Sequence, residues 1–164
     1  MNNRGRPAAV ELHRRVLELY REVDQAVQAA GPVCVASGRC CRFKEYGHTL
    51  FLCNLEAEVL LAHAPPYEQP VTADFCPFQK DNLCTAREPR PLGCRIYFCD
   101  PNYQETAQRI SEDSIRRLKE LANEFEVDWQ YAPLHTFLNA AKLEPCMPVA
   151  ASPSVRYSLP VNPD

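Results

Sequence analysis

Nine cysteines, at 34, 40, 41, 53, 76, 84, 94, 99 and 146, constrain this chain more than any other feature. An odd number cannot pair off completely within one chain. The N-terminus, Met1-Asn2-Asn3-Arg4-Gly5-Arg6-Pro7, runs into a charged segment without the apolar stretch of a secretory signal, so the expected compartment is the reducing cytoplasm. Disulfides rarely persist there, and a thiol density of this kind points to metal ligation or thiol chemistry. Three readings compete: ligation of a metal or iron–sulfur cluster, redox or disulfide-forming thiols, and small buried hydrophobes.

The rest of the composition narrows the classes. At 164 residues the length suits one domain, and a formal charge of −3 offers no basic footprint for nucleic acid. No apolar run approaches the ~20 residues that a membrane helix needs. The five glycines show no G-x-G spacing, which removes a Rossmann fingerprint and a P-loop.

Helical periodicity marks two long segments. Residues 8–30 carry Val16, Leu19, Val23, Ala26 and Val27 on one face, opened by Pro7 and stopped by Gly31-Pro32. Residues 103–126 carry Ile110, Ile115, Leu118, Leu121, Ala122 and Phe125 against many charges. Between them the pattern predicts a short strand over 49–53 and a helix over 55–64 with Asn54 as its N-cap. Trp129-Gln130-Tyr131 reads as an extended link, and Pro133 opens a last helix. Five prolines from 144 onward predict an extended, poorly ordered tail over 144–164 containing Cys146, which leaves 1–143 as the single domain. The fold class is mainly α: three to four helices around a cysteine-rich, loop-dominated metal-binding centre.

That centre spans about 34–101. One cluster is Cys34-x5-Cys40-Cys41-Arg42. The other is Cys76-Pro77-Phe78-x5-Cys84, continuing to Arg90-Pro91-Leu92-Gly93-Cys94-Arg95-x3-Cys99. From 65 to 101 there are seven prolines and no sustained periodicity, and a stretch that long needs something else to hold it. Two loops stapled through one inorganic group would do so. Neighbouring side chains in extended backbone point apart, so Cys40 and Cys41 reach one ion only through a distorted loop; a polynuclear centre accommodates them more easily. Arg39, Arg42 and Arg95 adjoin cysteines and are candidates to bind the cofactor by donating to its sulfur, with Arg87 and Arg90 nearby. The candidate ligands are Cys34, Cys40, Cys41, Cys76, Cys84, Cys94 and Cys99.

The pattern CxxSxxCCR, then CPF-x5-C, then RPLGCR-x3-C, resembles the zinc- or iron-chelating cysteine-cluster family, also described as the CxxCxxCC or YkgJ-type family. The resemblance covers roughly residues 34–101. Ser37 stands where that family has its second cysteine, and a hydroxyl is a poor ligand for soft metals, so seven family-position cysteines remain. The resemblance implies metal chelation through these thiols, with zinc or iron as the metal. A similar cluster occurs in flagellin lysine-N-methylases, so members can belong to enzymes.

The function expected is a metalloprotein holding an iron–sulfur cluster, such as [4Fe–4S], or zinc. The vicinal pair and the excess of thiols over four favour iron–sulfur. Alternatives are a metal-dependent enzyme of redox or group-transfer chemistry and a zinc-stapled interaction module; either implies a protein or redox partner, not nucleic acid or membrane. Cys53, beside Leu50, Phe51 and Leu52, reads as a buried hydrophobe, and His48 as a loop histidine close enough to Cys41 to ligate or act as a base. His13, His63 and His135 read as structural or solvated, Glu45, Asp74, Asp81 and Asp100 as solvated, and Tyr97 and Phe98 as core aromatics able to shield a centre from water.

Overall fold

In a computed structural model of the chain, residues 5–142 are described; the tail over 144–164, with Cys146, and the first four residues lie outside them. Six α-helices dominate the described residues: α1 (Gly5–Ala30), α2 (Phe43–Tyr46), α3 (Asn54–His63), α4 (Leu92–Ile96), α5 (Gln104–Glu124) and α6 (Leu134–Ala140). The fold is mainly α, as the periodicity indicates. Four short strands form two separate antiparallel pairs, β1 (Phe51–Cys53) with β4 (Tyr131–Pro133) and β2 (Gln79–Lys80) with β3 (Leu83–Cys84).

α1 and α5 form because each carries an apolar stripe at helical spacing, and they pack on one another. Leu12, Val16, Leu19, Tyr20, Val23 and Val27 of α1 meet Leu118, Leu121 and Ala122 of α5 in one hydrophobic cluster. Burying a side chain of this size contributes about 1.5–3 kcal/mol, so the stripe stabilises the pair far beyond helix propensity. Ala26, expected on the buried face, is exposed, and Tyr20 takes a place in the core instead. Gly31 ends α1 at φ 65°, its N–H donating to the Val27 carbonyl at 3.1 Å.

α3 is apolar on nearly every side, as a helix between two layers must be. Leu55 and Val59 join the α1–α5 cluster, while Ala57 and Leu60 join a second cluster with Cys41, Cys76, Phe78, Leu134 and Leu138. The cysteine loops therefore sit on the side of α3 away from the long helices. Its cap is Cys53, not Asn54. The Cys53 sulfur accepts from the Glu56 backbone N–H, and Glu56 Oε2 accepts from the Cys53 N–H at 2.9 Å. Asn54 instead ties the β1–β4 corner, donating to the Asp128 carbonyl and accepting from the Gln130 N–H, both at 3.0 Å.

Candidate metal centre

The first cysteine loop is shaped by two residues in the left-handed region, Ala36 at φ 49° and Gly38 at φ 71°. Gly38 is required there. A β-carbon on it would collide with the Gln79 side-chain amide and lie 2.9 Å from Asn82 Oδ1. That close approach lets Gln79 Nε2 donate to the Gly38 carbonyl at 2.9 Å and seats the loop on the β2–β3 hairpin. A 3-10 turn over Arg39–Cys41 follows. It supplies the local distortion that a vicinal pair needs: the Cys40 and Cys41 sulfurs lie 3.9 Å apart.

The second region is joined to the first through backbone, the Cys76 N–H donating to the Cys41 carbonyl at 2.8 Å. β2 and β3 pair Gln79 with Cys84 across a turn at Asp81 and Asn82, both at positive φ as a tight hairpin turn requires. α4 then presents Cys94, and the segment after it presents Cys99.

These elements enclose one cleft of about 180 Å³. Cys34, Cys40 and Cys41 line it from the first loop. Cys76, Cys84, Cys94 and Cys99 line it from the second region. The apolar Leu50, Leu60, Phe78 and Leu134 share the lining. Burial is graded: Cys41 and Cys76 are buried, Cys40, Cys84 and Cys94 half-buried, Cys34 and Cys99 exposed. Among the described residues, no group of three or more His, Cys, Asp or Glu side chains is disposed around one point so as to hold a single metal ion.

The thiols disfavour one another's ionisation. The hydrogen bond with Cys41, then burial, pushes the Cys40 thiol far up. The Cys41 thiol is pushed up to about 12: its hydrogen bond with Cys40 draws it down, but the one with Cys76, together with burial, outweighs this. Burial and then the neighbouring Cys41 and Cys84 hold Cys94 well above the ordinary thiol range. Converting such a set to thiolates requires a cation among them, and binding one releases protons.

The arginines divide differently from the expectation. Arg39 lines the cleft, its guanidinium 5.1 Å from the centroid of the Tyr46 ring. Arg42 bridges Glu45 at 3.7 Å and the Asn82 side chain, pinning the loop to the hairpin. Arg95 faces away from the sulfurs. It donates to the carbonyls of Arg90 and Glu88 and to Asp24 Oδ2 at 2.6 Å, and it stacks on Tyr20 with 4.2 Å to the ring centroid. The geometry corrects its assignment from sulfur donor to strut between α4 and α1. Arg90 takes the cleft position, lining it with a buried Nε that has no hydrogen-bond partner. Arg87 also lines the cleft, and is exposed.

No family model, curated protein or solved structure matches this chain.

His48 lies outside the cleft lining. Its Nε2 is 3.3 Å from the Cys40 carbonyl and its ring stacks on Tyr97 at 5.4 Å, so it braces the loop from behind. Cys53 is fully buried in the α1–α5 cluster and faces Glu56, not the other thiols. Sequence reasoning gave no role to Glu56, although Glu three residues after the cap is the signal of a capping box. Burial raises its carboxyl above the usual range, against hydrogen bonds donated by the Cys53 N–H and by the Leu92 N–H at 2.7 Å. Glu56 thereby fixes the start of α4, two residues before Cys94.

Proposed function

We propose that this chain is a cytoplasmic metalloprotein of the zinc- or iron-chelating cysteine-cluster type, whose thiolates hold an iron–sulfur cluster or zinc. The observation that carries the reading is the gathering of Cys34, Cys40, Cys41, Cys76, Cys84, Cys94 and Cys99 around one cleft from loops that are distant in sequence. The donor set fits such a group: it is all sulfur, it is partly screened from water, and Arg90 brings an unpartnered buried N–H to the same wall. All eight cysteines among the described residues are free.

The excess of thiols over four favours the cluster. With Zn–S near 2.3 Å, a tetrahedral site puts its sulfurs about 3.8 Å apart. Cys40 and Cys41 meet that spacing, yet the described residues offer no third donor around the same point. Several irons bridged by sulfide accept thiolates over a wider span. Neither a nucleic-acid partner nor a membrane enters the reading; among the described residues no helix is long and apolar enough to cross a bilayer.

Anaerobic isolation followed by metal analysis and a visible spectrum tests it. Iron with absorbance near roughly 400 nm, from thiolate-to-iron charge transfer, is the expected result. Colourless protein with stoichiometric zinc replaces the cluster by zinc. Protein with neither metal, which also takes up neither when iron and sulfide or zinc is supplied, overturns the proposal.

A further inference from the structure

Seven thiols line the cleft where four suffice for zinc or for a cubane cluster, and they are not equivalent. Cys41 and Cys76 are buried, Cys40, Cys84 and Cys94 are half-buried, and among the described residues Cys34 and Cys99 alone stand exposed. These two come from chain segments that meet beside them: the Val33 N–H donates to Asp100 Oδ2 at 3.4 Å, one residue from each. The exposed pair therefore belongs to one rim of the cleft and not to two unrelated surfaces.

Resting on the metal-binding reading above, we propose that Cys34 and Cys99 are the exchange port of the site, through which a thiol-bearing acceptor withdraws or delivers the metal. Ligand exchange needs an incoming sulfur to approach a bound one. Such an approach is blocked at Cys41 and Cys76 and open at the rim. The step involves no oxidation. A rim thiol displaces one inner sulfur from the metal, its proton passing to the released inner cysteine. An acceptor thiol then displaces the rim sulfur, its proton passing to the rim cysteine. The five inner thiols keep hold of the metal until enough acceptor sulfurs have replaced them. The partner implied is a molecule that presents two or more thiols.

The test is the double variant C34S/C99S, compared with the wild-type chain, each isolated anaerobically with the metal it carries. The metal per chain and the rate of its transfer to a small dithiol are measured. Both positions are exposed and the replacement is nearly isosteric, so the fold is expected to persist; far-UV circular dichroism and the single variants C34S and C99S check this. The expected result is unchanged metal content with transfer slowed at least about tenfold, each single variant falling between. Transfer at the wild-type rate overturns the port. Loss of bound metal from the double variant also overturns it, because the pair then holds the metal instead of exchanging it. A wild-type chain that carries no metal refutes the underlying reading, which is a different outcome from either.

Discussion

Arg95 Nη1 donates to Asp24 Oδ2 at 2.6 Å, and this ion pair fastens α4, which carries Cys94, to α1. The arginine side chain is 5% exposed and the aspartate 44%, so the pair spans the boundary between core and water. Burial draws the Arg95 guanidinium below its ordinary range, with Asp24 opposing that. R95Q removes the ion pair, two carbonyl contacts and the stacking on Tyr20. It should cost about 2–3 kcal/mol in urea unfolding, somewhat less than a fully buried pair because water reaches Asp24.

Arg90 supplies the opposite prediction. Its charge faces Cys40 and Cys94, and its buried Nε has no partner among the described residues. R90Q should leave the unfolding free energy within about 0.5 kcal/mol of wild type while shifting the visible spectrum or reduction potential of the proposed iron–sulfur group. R95Q should do the reverse, lowering stability while the folded fraction keeps a wild-type spectrum. A spectral change in R95Q with none in R90Q would restore the assignment first suggested by sequence adjacency.

G38A probes the crossing of loop and hairpin. Gly38 sits at φ 71° and its carbonyl accepts from Gln79 Nε2 at 2.9 Å. A methyl group there is strained by the backbone and obstructed by Gln79 and Asn82, so about 1–3 kcal/mol of stability should be lost. Labelling of the cysteines by a thiol reagent should accelerate at Cys40 and Cys41 in particular. Unchanged labelling would mean that the hairpin does not hold the loop.

The parts of this architecture that the sequence made legible are those written in periodicity. α1 and α5 follow from apolar residues at helical spacing, and the cysteine positions that line the cleft follow from motif spacing. The β2–β3 hairpin escaped because two-residue strands leave no alternation to read; its signal lies only in Asp81-Asn82, residues that tolerate positive φ. Arg95 misled for a geometric reason. Successive residues on a helix such as α4 point about 100° apart, so a cysteine turned to the cleft directs its neighbour elsewhere. Glu56 was hidden because its three hydrogen-bond partners come from Tyr20, Cys53 and Leu92, separated by up to 36 residues.

Glu56 gives a pH dependence of defined sign. Burial raises its carboxyl above the ordinary 4.5, so the folded chain binds that proton more tightly than the unfolded chain. The stabilisation from this group is full below 4.5 and is lost as pH rises through the raised value. E56Q cannot titrate and also loses one acceptor for the Cys53 or Leu92 N–H, about 1–3 kcal/mol. Urea titrations from acid to neutral pH should show the wild-type advantage over E56Q shrinking as pH increases. A constant or widening gap would show that the folded chain does not hold this proton more tightly than the unfolded chain.

Removal of the proposed metal should separate the two hydrophobic clusters. Leu12, Val16, Leu19, Leu118 and Leu121 pack together without any of the seven cleft cysteines, whereas Cys41 and Cys76 are built into the second cluster beside Phe78 and Leu134. A metal that joins the two cysteine regions contributes to folding the second cluster only, because the α1–α5 pairing owes its stability to apolar burial. Chelation under reducing conditions should therefore leave most of the far-UV helical signal, since α1 and α5 are the longest helices. Amide exchange should accelerate across residues 34–48 and 76–91 and stay slow in α1 and α5. Uniform acceleration through α1 and α5 would show instead that the whole chain folds as one unit around the metal.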